Sequence, residues 1–284
     1  MSEASLSTIE IPSVEAQTIK VPLTFIARTA ARPRVLMSAT HADANRRTGD
    51  FRLVPVDVVD ARTLSGPPGL DREGFALEEH PSRVQDFYDS AVVQQVYYPE
   101  VAELLKRATG AAEAHVFDHT LRVEDEAKRR MHGTRLPVAV AHNDYTEQSA
   151  PQRVRDLLAA EAAERFLAGR FAIVNVWRSF GASAERFPLA VADGRTVLQE
   201  DYVSVDLVYP DRIGEISYTA HSSGQRWHYF SMMRPDEALI FKCFDSARDG
   251  RTRYTAHTGF ANPHASPATP PRESIEVRTL LYFD

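Results

Sequence analysis

From residue 171 onward the chain is a succession of short runs rich in β-branched, aromatic and aliphatic residues, at 171–176, 189–192, 202–209, 216–220, 227–230, 238–244 and 274–283. Runs of this length, bounded by turn-forming residues and not alternating with helical patterns, argue for a sandwich or barrel of antiparallel strands rather than βαβ units. The expected fold class is therefore mainly β with flanking helices. Residues 21–26, 54–60 and 114–122 add strand-like segments in the first half, and Gly66-Pro67-Pro68-Gly69 marks a turn between two of them. The helical pattern is confined to two regions. Residues 81–107 place Val84, Phe87, Val92, Val93 and Val96 on one side, with a second helix from Pro99 stopped by Gly110, and residues 152–167 repeat Val154, Leu157, Leu158, Ala162 and Phe166 at helical spacing. Residues 1–19 are polar and read as a flexible arm, and residues 20–284 as a single domain. Such an arm can order against a partner subunit, as in a homodimer, or against a lid.

Against this background one short motif carries chemistry. Val140-Ala141-His142-Asn143-Asp144-Tyr145 closes an apolar run that begins at Leu136 and reads as a strand, and His257 follows far downstream. Side chains of a strand alternate with period two, so His142 and Asp144 lie on the same side and both can reach one ion. Two imidazoles and one carboxylate on one face of an octahedral ferrous ion leave the opposite positions open, which is the donor set of a non-haem Fe(II) catalyst. By itself an H-x-D tripeptide is more often a surface ion pair. Here it is supported by Arg272 and Ser274, past the second histidine. A guanidinium grips a carboxylate bidentately and a neighbouring hydroxyl adds a third bond, a combination suited to the far end of 2-oxoglutarate. The near end of that cosubstrate would chelate the iron, with dioxygen as the third partner. His264 is the alternative distal ligand. His257 is preferred because it follows Phe244-Asp245-Ser246 at the interval of a returning strand, whereas His264 lies in the proline-rich loop 262–271.

Composition narrows the function classes. Of 284 residues, 33 are Lys or Arg and 39 Asp or Glu, and the basic residues form no sustained stripe, so no electrostatic footprint for nucleic acid is present. The single cysteine, Cys243, excludes an intrachain disulfide and sits in an apolar run, where a buried inert thiol is expected. Met1-Ser2-Glu3-Ala4-Ser5 lacks the features of a secretory leader, and no stretch reaches the ~18 apolar residues of a membrane span, so the expectation is a cytoplasmic protein with no membrane partner.

Several ordered motifs then carry a family likeness. Tyr97-Tyr98-Pro99-Glu100, Phe117-Asp118-His119-Thr120-Leu121-Arg122, His142-Asn143-Asp144-Tyr145, Asn175-Val176-Trp177-Arg178, Arg226-Trp227-His228-Tyr229-Phe230, Lys242-Cys243-Phe244-Asp245-Ser246, His257-Thr258-Gly259-Phe260 and Arg272-Glu273-Ser274 together resemble the hydroxylase/desaturase family. That family includes gibberellin desaturase-like fungal proteins and a component of cephamycin methoxylation. The likeness covers most of the chain after about residue 80. It implies a double-stranded β-helix, or jelly-roll, oxygenase that uses Fe(II), 2-oxoglutarate and dioxygen on a small specialised metabolite. It assigns the iron to His142, Asp144 and His257, and the cosubstrate anchor to Arg272 with Ser274. Arg272 lies farther past His257 than is usual in such oxygenases, so Arg278, Arg178 and Lys242 remain rival anchors.

Other residues have both a functional and a plainer role open to them. Asn175 and Trp177 face one way on their strand and Arg178 the other. Either face could line the pocket, while Trp177 could equally be core and Arg178 an ion-pair partner. His119 and Arg122 could reach substrate or simply pair with neighbouring carboxylates. Tyr229 is the preferred hydrogen-bond donor to the cosubstrate on its strand, although aromatic strands more often pack than bind. The chemistry expected is consumption of 2-oxoglutarate to succinate and carbon dioxide with breakage of a substrate C–H bond. The outcome is hydroxylation, or desaturation or ring closure if a second hydrogen is lost. The competing class is a metal-binding jelly-roll isomerase, epimerase or accessory protein without oxygenase activity.

Overall fold

The computed structural model describes residues 16–28, 31–37 and 46–284. In chain order its strands are β1 (Thr18–Ile26), β2 (Arg34–Leu36), β3 (Arg46–Arg47), β4 (Phe51–Asp60), β5 (Phe75–Glu79), β6 (Glu113–Val123), β7 (His142–Asn143), β8 (Arg170–Ser179), β9 (Leu189–Ala192), β10 (Tyr202–Val208), β11 (Ile213–Thr219), β12 (Trp227–Tyr229), β13 (Glu237–Asp245), β14 (His257–Gly259) and β15 (Glu273–Phe283). The helices are α1 (Ser90–Val92), continued by a π turn (Val93–Tyr97) into α2 (Tyr98–Thr109), then α3 (Glu126–His132), α4 (Ser149–Leu157) and α5 (Ala160–Ala168).

Two sheets face each other. The smaller is wholly antiparallel in the order β5-β13-β8-β15-β6, and the larger runs β1-β4-β12-β9-β14-β7-β11-β10-β2-β3. This is a jelly-roll with mostly β content, as the resemblance implied. β8 lies inside the smaller sheet and is buried on both faces, which explains its nearly unbroken apolar sequence. Ile173 and Trp177 face the larger sheet, in a core with Leu239, Phe241, Leu280, Leu189 and Val191. Ala172, Val174 and Val176 face the opposite way and pack beneath Val101, Leu104 and Leu105 of α2. The larger sheet curls back on itself, because Thr24 of β1 pairs with Val140 and its carbonyl accepts from the Ala141 amide. The space inside this curl holds Val21, Leu23, Phe25, Val58, Trp227, Tyr229 and Phe260.

The helical regions differ from expectation at their edges. Residues 81–89 are not helical. Ser82 and Asp86 accept hydrogen bonds from the amides of Val84 and Tyr88, local bonds that compete with helix formation, and the helix begins only where the Asp89 side chain caps Ala91 and Val92. Gly110 ends α2 at φ 73°, as its position foretold. The single helix expected over 152–167 is two, since Leu158 takes an extended conformation and turns the chain so that Val154 and Phe166 both close one end of the inner core. The run 136–140 forms no continuous strand and contributes a single bridge, from Val140 to Thr24. Helix α3 buries no residue, so it carries no apolar period, and only its flanking Asp125 cap and Gly133 announce it. The expected arm of residues 1–19 is shorter, because Thr18 and Ile19 already belong to β1, and residues 1–15 lie outside the described part.

Candidate metal centre

The strand alternation that places His142 on the inner face of the larger sheet also brings it opposite His257. The two residues are direct partners in the β7–β14 ladder. Their rings lie 4.3 Å apart, and Asp144 follows two residues after His142. One ligand atom from each of His142, Asp144 and His257 lies within 4.8 Å of the others. Asp144 Oδ1 is 3.6 Å from His142 Nε2 and 4.0 Å from His257 Nε2.

The tautomers follow from the second ring nitrogens. His142 Nδ1 is 2.8 Å from the carbonyl of Val140 and His257 Nδ1 is 3.1 Å from that of Thr255. A carbonyl only accepts, so each Nδ1 carries the proton and each Nε2 keeps its lone pair toward Asp144. Burial pulls His142 down to about 4, helped by the neighbouring His257, and burial lowers His257 as well, so both rings are neutral at pH 7. Burial alone would raise Asp144. Arg278, the two histidines and a hydrogen bond from Asn175 outweigh it and hold this carboxyl well below the usual range. His257 Nε2 is buried with no hydrogen-bond partner. A buried lone pair facing an ionised carboxylate and a second free imidazole nitrogen is a donor set that a divalent cation satisfies and protein groups here do not. Phe241 packs against the His257 ring at 4.6 Å. Gly259 has no room for a side chain, since a Cβ there would lie 2.5 Å from the Phe187 ring and 2.9 Å from the Val138 carbonyl.

A row of charged residues covers the inner face of the smaller sheet. Ser274, Glu276 and Arg278 share one side of β15, Arg272 immediately precedes that strand and bonds Ser274, and Ser274 is paired with Arg122 of β6. Arg272 is buried, donates from Nε to Ser274 Oγ at 2.8 Å and from Nη1 to the Phe187 carbonyl at 3.1 Å, and lies over the Trp177 ring at 4.9 Å. Its guanidinium makes no ion pair with a carboxylate among the described residues. Burial, with Arg122 adding a like charge, pulls it down to about 9. The Trp177 indole N–H is also buried without a partner. A buried cation and an orphaned donor side by side fit an anionic ligand that brings its own acceptors.

Not every residue singled out in the sequence reaches this centre. His142, Asp144, His257, Asn175, Trp177, Arg122, Arg272, Ser274 and Arg278 are brought together on the facing inner surfaces. Arg178 points to the other face of β8, against His80, the Pro235 carbonyl and the Tyr97 ring, and is not placed to anchor a ligand at the triad. His119 is likewise turned to the helix side, with Nδ1 2.9 Å from the Tyr98 hydroxyl. Lys242 is held by Asp71, Asp245 and the Thr252 carbonyl. Tyr229 sits inside the curl of the larger sheet against Phe260, so the expected role as cosubstrate donor is corrected. On that strand it is His228 that faces inward, beside Phe75. His264 is exposed in the proline-rich loop, away from the triad. Sequence reasoning missed Asp118, Thr120 and Glu276, which all bond Arg278. Their two-residue spacing in β6 and β15 was the signal that could have found them.

Comparison with known proteins agrees with this geometry. The family described as "Oxidoreductase/YMDC permease-like domain" matches residues 23–282. Hydroxylase/desaturase CTB9 of Cercospora beticola is 33% identical over 76% of this chain and 72% of its own length. The Fe(II)/2-oxoglutarate-dependent dioxygenase nvfI of Aspergillus novofumigatus is 34% identical over 78% of this chain and 81% of its own. The solved structure of the iron and alpha-ketoglutarate-dependent endoperoxidase NvfI superposes with a TM-score of 0.83 at 28% identity, covering 94% of this chain and 98% of that one. No helix among the described residues is long and apolar enough to cross a membrane. With the triad, the jelly-roll and these relatives in agreement, the chain belongs to the hydroxylase/desaturase family of Fe(II)/2-oxoglutarate-dependent dioxygenases.

Proposed function

We propose that residues 20–284 work as one oxygenase domain that oxidises a small specialised metabolite by hydroxylation, desaturation or ring closure. His142, Asp144 and His257 hold the iron, and Arg272 with Ser274 holds the far carboxylate of 2-oxoglutarate. The observation that carries this reading is the buried, partnerless Nε2 of His257 facing Asp144 Oδ1, with His142 Nε2 alongside. When bound, the iron supplies the dioxygen and electron-transfer chemistry that no side chain here can perform.

The protein's own part is orientation and exclusion of water. The carbonyls of Val140 and Thr255 fix the two imidazoles as neutral ligands. Arg272 is fixed in turn by Ser274, the Phe187 carbonyl and the Trp177 face, so its planar fork is pre-set for a carboxylate. The inner core around Trp177, Phe241 and Val191, capped by α4 and α5, keeps the centre dry, which strengthens each charged contact within it.

The test is an anaerobic titration of metal-free protein with Fe(II) and then 2-oxoglutarate, following the weak visible charge-transfer band of a chelated ferrous 2-oxoacid centre. The expected result is a band in wild type that His257→Ala abolishes, with succinate formed once dioxygen and a substrate are supplied. Absence of the band in wild type refutes the reading.

A further inference from the structure

The most heavily bonded side chain at the centre is Arg278, which is not a metal ligand. Asp144 Oδ2 accepts from Asn175 Nδ2 at 2.9 Å and from Arg278 Nε at 3.0 Å. Arg278 Nη1 donates to Asp118 Oδ1 at 3.0 Å and Thr120 Oγ1 at 3.1 Å, and Nη2 to Glu276 Oε1 at 2.7 Å. Four of the five N–H donors of a guanidinium are thereby taken. The sheet fixes this arrangement, because Arg278 is the direct partner of Asp118 on β6 and of Asn175 on β8. Asp118, Arg278 and Asn175 form one row across three adjacent strands, and the last two converge on Asp144.

We infer that Arg278, together with Asn175, is a positioning residue that locks the iron carboxylate so that Asp144 offers Oδ1 alone. The inference rests on the assignment of His142, Asp144 and His257 as the iron ligands. A carboxylate free to rotate can give both oxygens to a metal and so fill a coordination position that the cosubstrate needs. With Oδ2 held by two donors, only Oδ1 faces the histidine nitrogens. The same bonds take Arg278 out of contention as a cosubstrate anchor, since its fork is already spent on Asp144, Asp118, Thr120 and Glu276.

The experiment uses Co(II) alone, without 2-oxoglutarate, on the full chain as wild type, Arg278→Gln, Asn175→Ala and His257→Ala. Dissociation constants and the visible d–d spectrum, whose intensity reports coordination number, are read together with near-UV circular dichroism and the melting temperature of the metal-free proteins. Arg278→Gln and Asn175→Ala are expected to bind Co(II) about 10- to 100-fold more weakly, as loss of partners behind a ligand commonly does, with an altered spectrum. Asn175→Ala removes a single contact to Asp144, so an altered spectrum in that variant supports the inference even if Arg278→Gln does not fold. Unchanged Co(II) affinity and spectrum in both variants would overturn the inference. A wild type that binds no Co(II), or a His257→Ala variant that binds it equally well, overturns the ligand assignment and this inference with it.

Discussion

Replacement of Arg272 by Met should separate stability from function in opposite directions. The guanidinium is buried, has no ion-pair partner among the described residues, and has Arg122 as a like-charged neighbour. Its fall from 12.5 to about 9 corresponds to about 5 kcal/mol spent on keeping it charged, at ~1.4 kcal/mol for each tenfold change in proton affinity. The bonds to Ser274 and the Phe187 carbonyl return part of this, about 1.5 kcal/mol each. Met preserves the apolar stem over Trp177 and removes the charge, so the metal-free variant should be more stable by about 2 kcal/mol, a rise in Tm of about 3 °C. The cosubstrate should suffer. Loss of two charge-assisted bonds to its far carboxylate, about 1.5–2 kcal/mol each, weakens 2-oxoglutarate binding roughly 10²- to 10³-fold. Calorimetric melting of the metal-free protein and anaerobic 2-oxoglutarate titration of the Fe(II)-loaded protein measure the two sides. A variant destabilised by more than about 1 kcal/mol, or one whose 2-oxoglutarate affinity stays within about tenfold of wild type, refutes the reasoning from an uncompensated buried cation.

Two further outcomes follow from groups outside the cosubstrate row. Lys242→Met deprives the fully buried Asp245 of one of its cations while Arg170 remains, so urea denaturation should show a loss of about 2–3 kcal/mol with 2-oxoglutarate affinity unchanged; a selective loss of that affinity would restore Lys242 as an anchor. Burial lowers the proton affinity of His80, His119, His142, His228 and His257, so below about pH 6.5 the unfolded chain takes up protons that the native metal-free protein refuses. Their contribution is therefore fully present above pH 6.5 and is lost as pH falls toward about 4, where His142 titrates. Denaturant midpoints of the metal-free protein measured from pH 7.5 down to 4.5 should decline, and a flat or rising profile on acidification would contradict the burial of these rings.

The chemistry-bearing positions were legible because they depend on period-two alternation. His142 and Asp144 two residues apart, and Arg272 and Ser274 two residues apart, share faces in the folded protein as their spacing requires. Alternation also separated Arg178 from Asn175 and Trp177. It could not say which of the two faces looks at the metal: the run Arg226-Trp227-His228-Tyr229 mixes polar and aromatic groups as a pocket wall does, yet Trp227 and Tyr229 are turned away from the metal. The curl of the larger sheet makes that face a core of its own, a property of strands far apart in sequence. The overlong helix over 81–107 failed for a local reason: side-chain bonds from Ser82 and Asp86 satisfy backbone amides that a helix would have used.

By itself, then, the sequence determined strand content, the single buried thiol and the pairing of His142 with Asp144, because each is set by residue type and spacing within one short segment, whereas His257 rather than His264 meets them through the β7–β14 pairing. The tertiary structure alone separates the four cations that the sequence offers to the cosubstrate. Arg178 and Lys242 are spent on the far side of the smaller sheet, Arg278 is spent on Asp144, and of the four Arg272 is the one that lies buried on the inner face without an ion-pair partner among the described residues. That choice depends on which strands lie next to one another, and the pairing of β15 with both β6 and β8 joins segments whose separation in the chain gives no local sign of contact.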